Sequence, residues 1–362
     1  MNKRVWDAAI DLQLERQIGL NWCWAATAKG VVDYYGGPQL AQCRYATHFL
    51  GETESCCDGD ERTERCDVAH DVDSVLRHFG VYAPPPFRRG VSLETLRREL
   101  DRDRPVVALM RFGDGTVHSL VVTAVDVANE RIGFSDPWYG PTRDELSAHA
   151  FATNYELGGR WMYTILTRPP HADFDAAVSF LHVASSDDGE RSSHAPRRTH
   201  DALELDVYEV GPAPLAAGAG PQAAERVAQT VVRLDSAPSG DRDPHGATPR
   251  WERALRAMRG EIDARVAHGY EVRLLRVPSL LLTSLWFVRT PPRPNDPDAH
   301  FLPIAPVPQF VEAGQDYTLR DFRELLVEPA RRTLRSLDVN RAAIARLDEE
   351  TSGGDPERFH DR

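Results

Sequence analysis

The chain has 362 residues, 41% hydrophobic and 27% charged, which is enough apolar material for two soluble domains with a core each. A formal net charge of −12 disfavours nonspecific binding to nucleic acid or to an anionic membrane, so neither is expected as a partner.

The N-terminal stretch MNKRVWDAAIDLQLERQ has no apolar core of a secretory leader, because Asp7, Asp11 and Glu15 interrupt it. The run at 280–288, LLLTSLWFV, is too short to span a bilayer and reads as a buried strand. A cytoplasmic location is the default expectation, with leaderless secretion left open.

In chain order, QIGLNWCWAATAKG (17–30) predicts a helix starting at Cys23, with Cys23, Ala26, Thr27, Gly30, Val31 and Tyr34 at helical spacing and YYGG as its stop. A loop carrying Cys43, Cys56, Cys57 and Cys66 follows. AHDVDSVLRHFGV is a second helix, and SLETLRRELDRDRP a third, with Ser92 as its N-cap. Then the period changes. PVVALMRF, HSLVVTAVDV, RIGFSD and RWMYTILTR are β-branched, aromatic-rich runs between turn residues, which predict an antiparallel meander. Helices first and strands second make an α+β domain over 1–168. Residues 169–200 are polar and aperiodic and read as a linker. Over 201–348 strands (LELDVYEV, YEVRLLRV, LLLTSLWFV, HFLPIAPV) mix with helices (RWERALRAMRGEIDARVAHG, and TLRDFRELLVEPARRTLRSL, which Pro329 should kink or split). That is a smaller mixed α/β accessory domain, and 349–362 reads as a disordered tail.

Cys23 sits between Trp22 and Trp24 at a helix start, where unpaired backbone N–H groups and the positive end of the helix dipole favour a thiolate. Such a thiol needs a base. His118 opens an otherwise apolar strand face, and Asp136 closes the next strand. A hairpin centred near 127–130 brings the two within a few positions of level, so the carboxylate can hold the imidazole tautomer. Gln17, six residues before the thiol in a loop made compact by Gly19, can join the Cys23 N–H as a second donor to an oxyanion. Each residue alone has a bland reading: a core cysteine, a strand-end histidine, a turn aspartate. Their joint occurrence in this order is the signal.

Gln17, Cys23-Trp24, a distant His118 and then Asp136 resembles the papain-like cysteine peptidases. It is closest to bacterial members with aspartate in the third position, among them effector proteases and the peptidases that clip double-glycine leaders. The resemblance covers about residues 13–168. It implies Cys23 as nucleophile, His118 as general base and then acid, Asp136 as orienter and Gln17 as oxyanion donor. A peptide or protein substrate is implied, and no cofactor or metal. Secretion as an effector is one localisation such relatives imply. Papain-like domains also often carry disulfides after the nucleophile. In an oxidising setting two bridges among Cys43, Cys56, Cys57 and Cys66 are expected, with Cys23 free and the pairing open; in a reducing cytoplasm they are thiols. The spacing C-x12-C-C-x8-C does not suit a structural zinc.

Two other functions use the same residues. An acyl transferase of transglutaminase type, or a deconjugating isopeptidase, would run the same triad; transglutaminase-like folds place the histidine much nearer the cysteine than here. A catalytically silent papain-like binding module would not require all four residues. A contact between the two domains stays open.

Overall fold

The computed structural model describes residues 6–52, 54–57, 65–156, 158–170, 203–217, 219, 224–234, 250–289, 298–305, 307–308 and 310–352. They fall into two compact units, the first holding 6–170 and 335–352 and the second 203–334. The expected linker, at 171–200, lies outside the described residues.

The first unit contains β1 (Ala8–Ala9), α1 (Cys23–Tyr34), α2 (Gln42–Phe49), α3 (Val72–His78), β2 (Tyr82–Arg88), α4 (Leu93–Leu100), β3 (Val106–Arg111), β4 (Val117–Asp126), β5 (Arg131–Ser135), β6 (Asp144–Ser147), α5 (Ala148–Thr153) and β7 (Arg160–Thr167). Its strands form one antiparallel sheet in the order β2-β7-β3-β4-β5-β6, with β1 paired to β4. This is the α+β class that the sequence predicts. The β4 strand is buried along nearly its whole length, because α1 and α4 both pack on it. Helix α1 comes close to the N-terminal segment through Gly30, where a Cβ would lie 2.2 Å from Leu14 Cδ2.

Two details differ from the expected meander. The β7 strand does not follow β6 but returns to the far side of β3, and β2 pairs outside it. Pro84, Pro85 and Pro86 lie in β2, which the sequence reading left unassigned. Edge strands tolerate proline because one side of the backbone needs no ladder partner.

The four cysteines expected in one loop pair as Cys43–Cys57 and Cys56–Cys66, leaving Cys23 free, and Cys43 lies in α2 rather than in a loop.

The second unit contains β8 (Leu203–Glu209), α6 (Pro212–Ala216), β9 (Glu225–Leu234), α7 (Arg250–Ala257), α8 (Arg259–Ala267), β10 (Tyr270–Val277), β11 (Leu282–Arg289), β12 (His300–Pro303) and β13 (Tyr317–Thr318). The sheet runs β13-β12-β11-β10-β8-β9, antiparallel except for β10 against β8. The helix expected over 250–269 is two, α7 and α8, broken at Met258 close to Gly260, a residue that weakens a helix interior.

The last helix, α9 (Leu319–Ser352), runs through Pro329 without being split, and Pro329 itself is buried. Packing outweighs the missing N–H. Phe322, near its start, stacks on Phe301 of β12 with ring centres 4.5 Å apart. The expected tail is corrected at its beginning: 349–352 are helical and anchored, and 353–362 lie outside the described residues.

From residue 335 on, α9 is part of the first unit. Leu347 is buried in its core. Arg346 donates to Asp71 at 2.7 Å and to both carboxylate oxygens of Asp73 at 2.9 and 3.0 Å. Glu350 accepts from Arg77 and from Tyr82 Oη, and Asp348 from Arg88 and Tyr163 Oη. Ser336 Oγ accepts the N–H of Ala69 at 3.1 Å. The side chain of Asp73 is only 2% exposed, so Arg346→Ala leaves a desolvated carboxylate with Arg77 as its remaining cation. Such a loss costs about 1–3 kcal/mol. Urea unfolding of Arg346→Ala should show the midpoint falling accordingly, and an unchanged midpoint would contradict the anchoring role.

Candidate active site

The turn before α1 is held by its side chains against one short segment. Trp22 Nε1 donates to Cys66 O at 2.8 Å and Trp24 Nε1 to Val68 O at 3.0 Å. Asn21 donates its backbone N–H to Asp67 Oδ1 at 2.6 Å and its Nδ2 to Asp67 O at 3.0 Å. The two tryptophans that flank Cys23 therefore fasten its turn to residues 66–68. Gly19 is required there, since a Cβ would lie 2.7 Å from Trp22 Cγ and 2.8 Å from Asp67 Oδ1. Helix α1 starts with no side-chain cap and no acidic residue in its first turn. Its N-terminal N–H groups thus stay available to an anion beside Cys23.

His118 and Asp136 come from β4 and the end of β5. The ladder pairs Val121 with Ser135, which puts Asp136 across from Leu120 and diagonally near His118. His118 Nε2 and Asp136 Oδ1 are 2.7 Å apart, and the two residues are 3% and 2% exposed. The other ring nitrogen is left for Cys23, which hydrogen-bonds to His118. Asp136 Oδ1 also accepts the Trp138 N–H at 2.7 Å, and Oδ2 accepts from Tyr155 Oη.

Burial by itself raises the Cys23 thiol, but the His118 hydrogen bond and charge, with the Ser119 N–H turned to the sulfur, bring it below the ordinary thiol value. Burial likewise opposes a charged His118. The Asp136 carboxylate and its hydrogen bond, together with Cys23, raise the imidazole to about 10. The arrangement can therefore hold a thiolate–imidazolium pair across neutral pH.

The sequence-predicted residues Cys23, His118 and Asp136 are brought into one hydrogen-bonded chain. Gln17 is buried, and its backbone N–H donates to Pro137 O at 2.7 Å, tying the loop before Cys23 to the turn that carries Asp136. Its Nε2 donates to Gly19 O at 2.9 Å and Leu20 O at 2.8 Å, while Oε1 is buried with no hydrogen-bond partner among the described residues. Sequence reasoning missed Ser119, Trp138 and Tyr155. The Asp-Pro-Trp run was a readable signal for Trp138; Ser119 follows His118 and is tied to α1, its O accepting from Thr27 Oγ1 at 3.1 Å.

In alkylation by iodoacetamide, reactivity should rise as pH passes the lowered thiol value and hold until the imidazolium is lost near pH 10. His118→Ala leaves burial opposed only by the weaker Ser119 hydrogen bonds, so labelling of Cys23 at pH 6.5 should fall by about tenfold or more. Equal rates in both proteins would rule out the ion pair. Mass mapping reads Cys23 cleanly, because the other four cysteines are bridged.

Among the described residues, no helix is long and apolar enough to cross a membrane. No curated protein matches the chain. Residues 6–156 match the family described as papain-like cysteine protease AvrRpt2. That span contains Gln17, Cys23, His118 and Asp136, and the match supports a papain-like cysteine peptidase over this part of the chain.

Proposed function

We propose that the domain hydrolyses peptide bonds of a protein substrate with Cys23 as nucleophile, His118 as base and acid, Asp136 as orienter, and Gln17 with the Cys23 N–H as oxyanion donors. The Cys23–His118–Asp136 hydrogen-bonded chain carries this reading. The thiolate attacks the carbonyl carbon, a C–S bond forms, and the carbonyl oxygen takes the negative charge. His118 passes its proton to the amine nitrogen as the C–N bond breaks. Water then attacks the thioester, giving a proton to His118, and the thiolate leaves. Gln17 serves the oxyanion by releasing one of its bonds to Gly19 O or Leu20 O as substrate seats. Aspartate in place of an amide at 136 suits the raised imidazole, since a carboxylate stabilises the cation more than a neutral group does.

The second unit is assigned substrate or partner recognition, or autoinhibition. The two disulfides favour export as an effector over the cytoplasmic default, because reducing cytosol does not maintain such bridges.

Hydrolysis of fluorescein-labelled casein tests the reaction. Cys23→Ala should lose at least a thousandfold of the rate. Gln17→Ala should lose about a hundredfold while Cys23 labelling by iodoacetamide stays fast, since it removes a transition-state donor and not the ion pair. Casein cleavage by Cys23→Ala at the wild-type rate would exclude the thiol mechanism.

A further inference from the structure

Asp136 is held on both carboxylate oxygens, and its second oxygen has a partner that the catalytic reading leaves unused. Oδ1 receives His118 Nε2 and the Trp138 N–H. Oδ2 receives the hydroxyl of Tyr155, a residue 1% exposed. The torsion that turns a carboxylate about its Cβ–Cγ bond is broad, so a group held at one oxygen still swings out of plane. Holding the second oxygen fixes the plane, and with it the direction of the lone pair that meets His118.

The seat of Tyr155 is built for this. Its ring packs edge-on against Phe134 at 5.7 Å and Phe151 at 6.0 Å. Its backbone closes a tight turn: Tyr155 N–H donates to Gly159 O at 2.8 Å, and Gly159 N–H to Tyr155 O at 2.7 Å. A Cβ at Gly159 would meet Tyr155 O at 2.9 Å. Inside that turn Glu156 has φ +46°, a left-handed conformation that a residue with a side chain seldom adopts. Strain of this kind persists where surrounding structure demands it. Here the Glu156 carboxylate accepts from the Tyr139 hydroxyl, and Tyr139 in turn gives its backbone N–H to Asp136 O at 3.1 Å. The 155–159 turn thus reaches Asp136 by two routes, directly through Tyr155 and through Glu156 and Tyr139. Burial holds both phenols well above their ordinary range, which keeps them donors at any working pH.

We propose that Tyr155 is a positioning residue of the reaction, which fixes the Asp136 carboxylate through its second oxygen so that the first can align His118 against Cys23. The proposal rests on the catalytic reading given above. Phenylalanine at 155 keeps the ring and removes the donor, so a role limited to packing predicts little change in catalysis.

The test measures iodoacetamide alkylation of Cys23 from pH 5.5 to 9 and casein hydrolysis in wild type, Tyr155→Phe, Asp136→Ala and the double variant, with thermal unfolding of each. Tyr155→Phe should lower both alkylation at pH 6 and casein turnover by about tenfold, the size of one lost hydrogen bond to a charged group. In the Asp136→Ala background the same substitution should change neither, because there is no carboxylate left to align. Wild-type rates and pH profile in Tyr155→Phe, with Asp136→Ala impaired, overturn the proposal and leave the catalytic reading intact. An equal loss in both backgrounds also overturns it, by assigning Tyr155 a role independent of Asp136. Full activity in Asp136→Ala overturns the catalytic reading itself and the proposal with it. A fall in unfolding temperature shared by Tyr155→Phe and the double variant marks the structural part of the effect, which the alkylation pH profile separates from alignment.

Discussion

An ionised sulfur in a water-poor site is costly, and most of the first unit is arranged to make one tolerable. Burial alone drives Cys23 toward the neutral thiol, while the helix start, the Ser119 N–H and above all the charged His118 draw it the other way. His118 is itself buried and would be neutral without Asp136 behind it. The charges therefore alternate along the chain, thiolate, imidazolium and a carboxylate whose two oxygens are both hydrogen-bonded. Each partner in the chain is stabilised by the next, and none is favourable alone.

Such a chain works only if two separate parts of the polypeptide keep their spacing. Cys23 belongs to a helix, and His118 and Asp136 to a sheet. Thr27 on α1 and Ser119 on β4 bond across that boundary, one turn of helix from Cys23 and one residue from His118. Gln17 bonds to Pro137 across the same boundary from the other side. The segment 66–68, which takes the Trp22, Trp24 and Asn21 hydrogen bonds, is secured by the Cys56–Cys66 bridge at one end and by Ser336 at the other. The Cys56–Cys66 bridge thus supports the Cys23 turn although it lies outside the site.

What could be read in the sequence was local in origin or carried by order. The helix start at Cys23 follows from spacing and from the YYGG stop, and the His118–Asp136 relation from a hairpin whose turn residues are plain. Residues joined over long separations were not legible. The return of β7 to the outside of β3 leaves no trace in the periodicity of either strand, because both read as buried and apolar. The helical end of the chain reads as polar tail, since EETSGG contains no apolar stripe; its order comes from ion pairs with Arg77 and Arg88, which lie some 260–270 residues earlier. Tyr155 was invisible for a related reason: a tyrosine beside a turn signals nothing until the fold puts its hydroxyl on Asp136.

The placement of Leu347 in the first core has a consequence for the order of synthesis. A chain leaving the ribosome delivers α1, the sheet and all three members of the hydrogen-bonded chain before residue 170, yet the helix that caps α3 and β2 comes some 165 residues later. Domains ordinarily fold as they emerge, the N-terminal one first. Here the second unit is synthesised in the interval, and the first core receives this helix only after the second unit has been made. Completion of the Cys23 surroundings is thereby tied to synthesis of α9 beyond residue 335, and a ribosome that stops before it releases a first unit lacking that helical support.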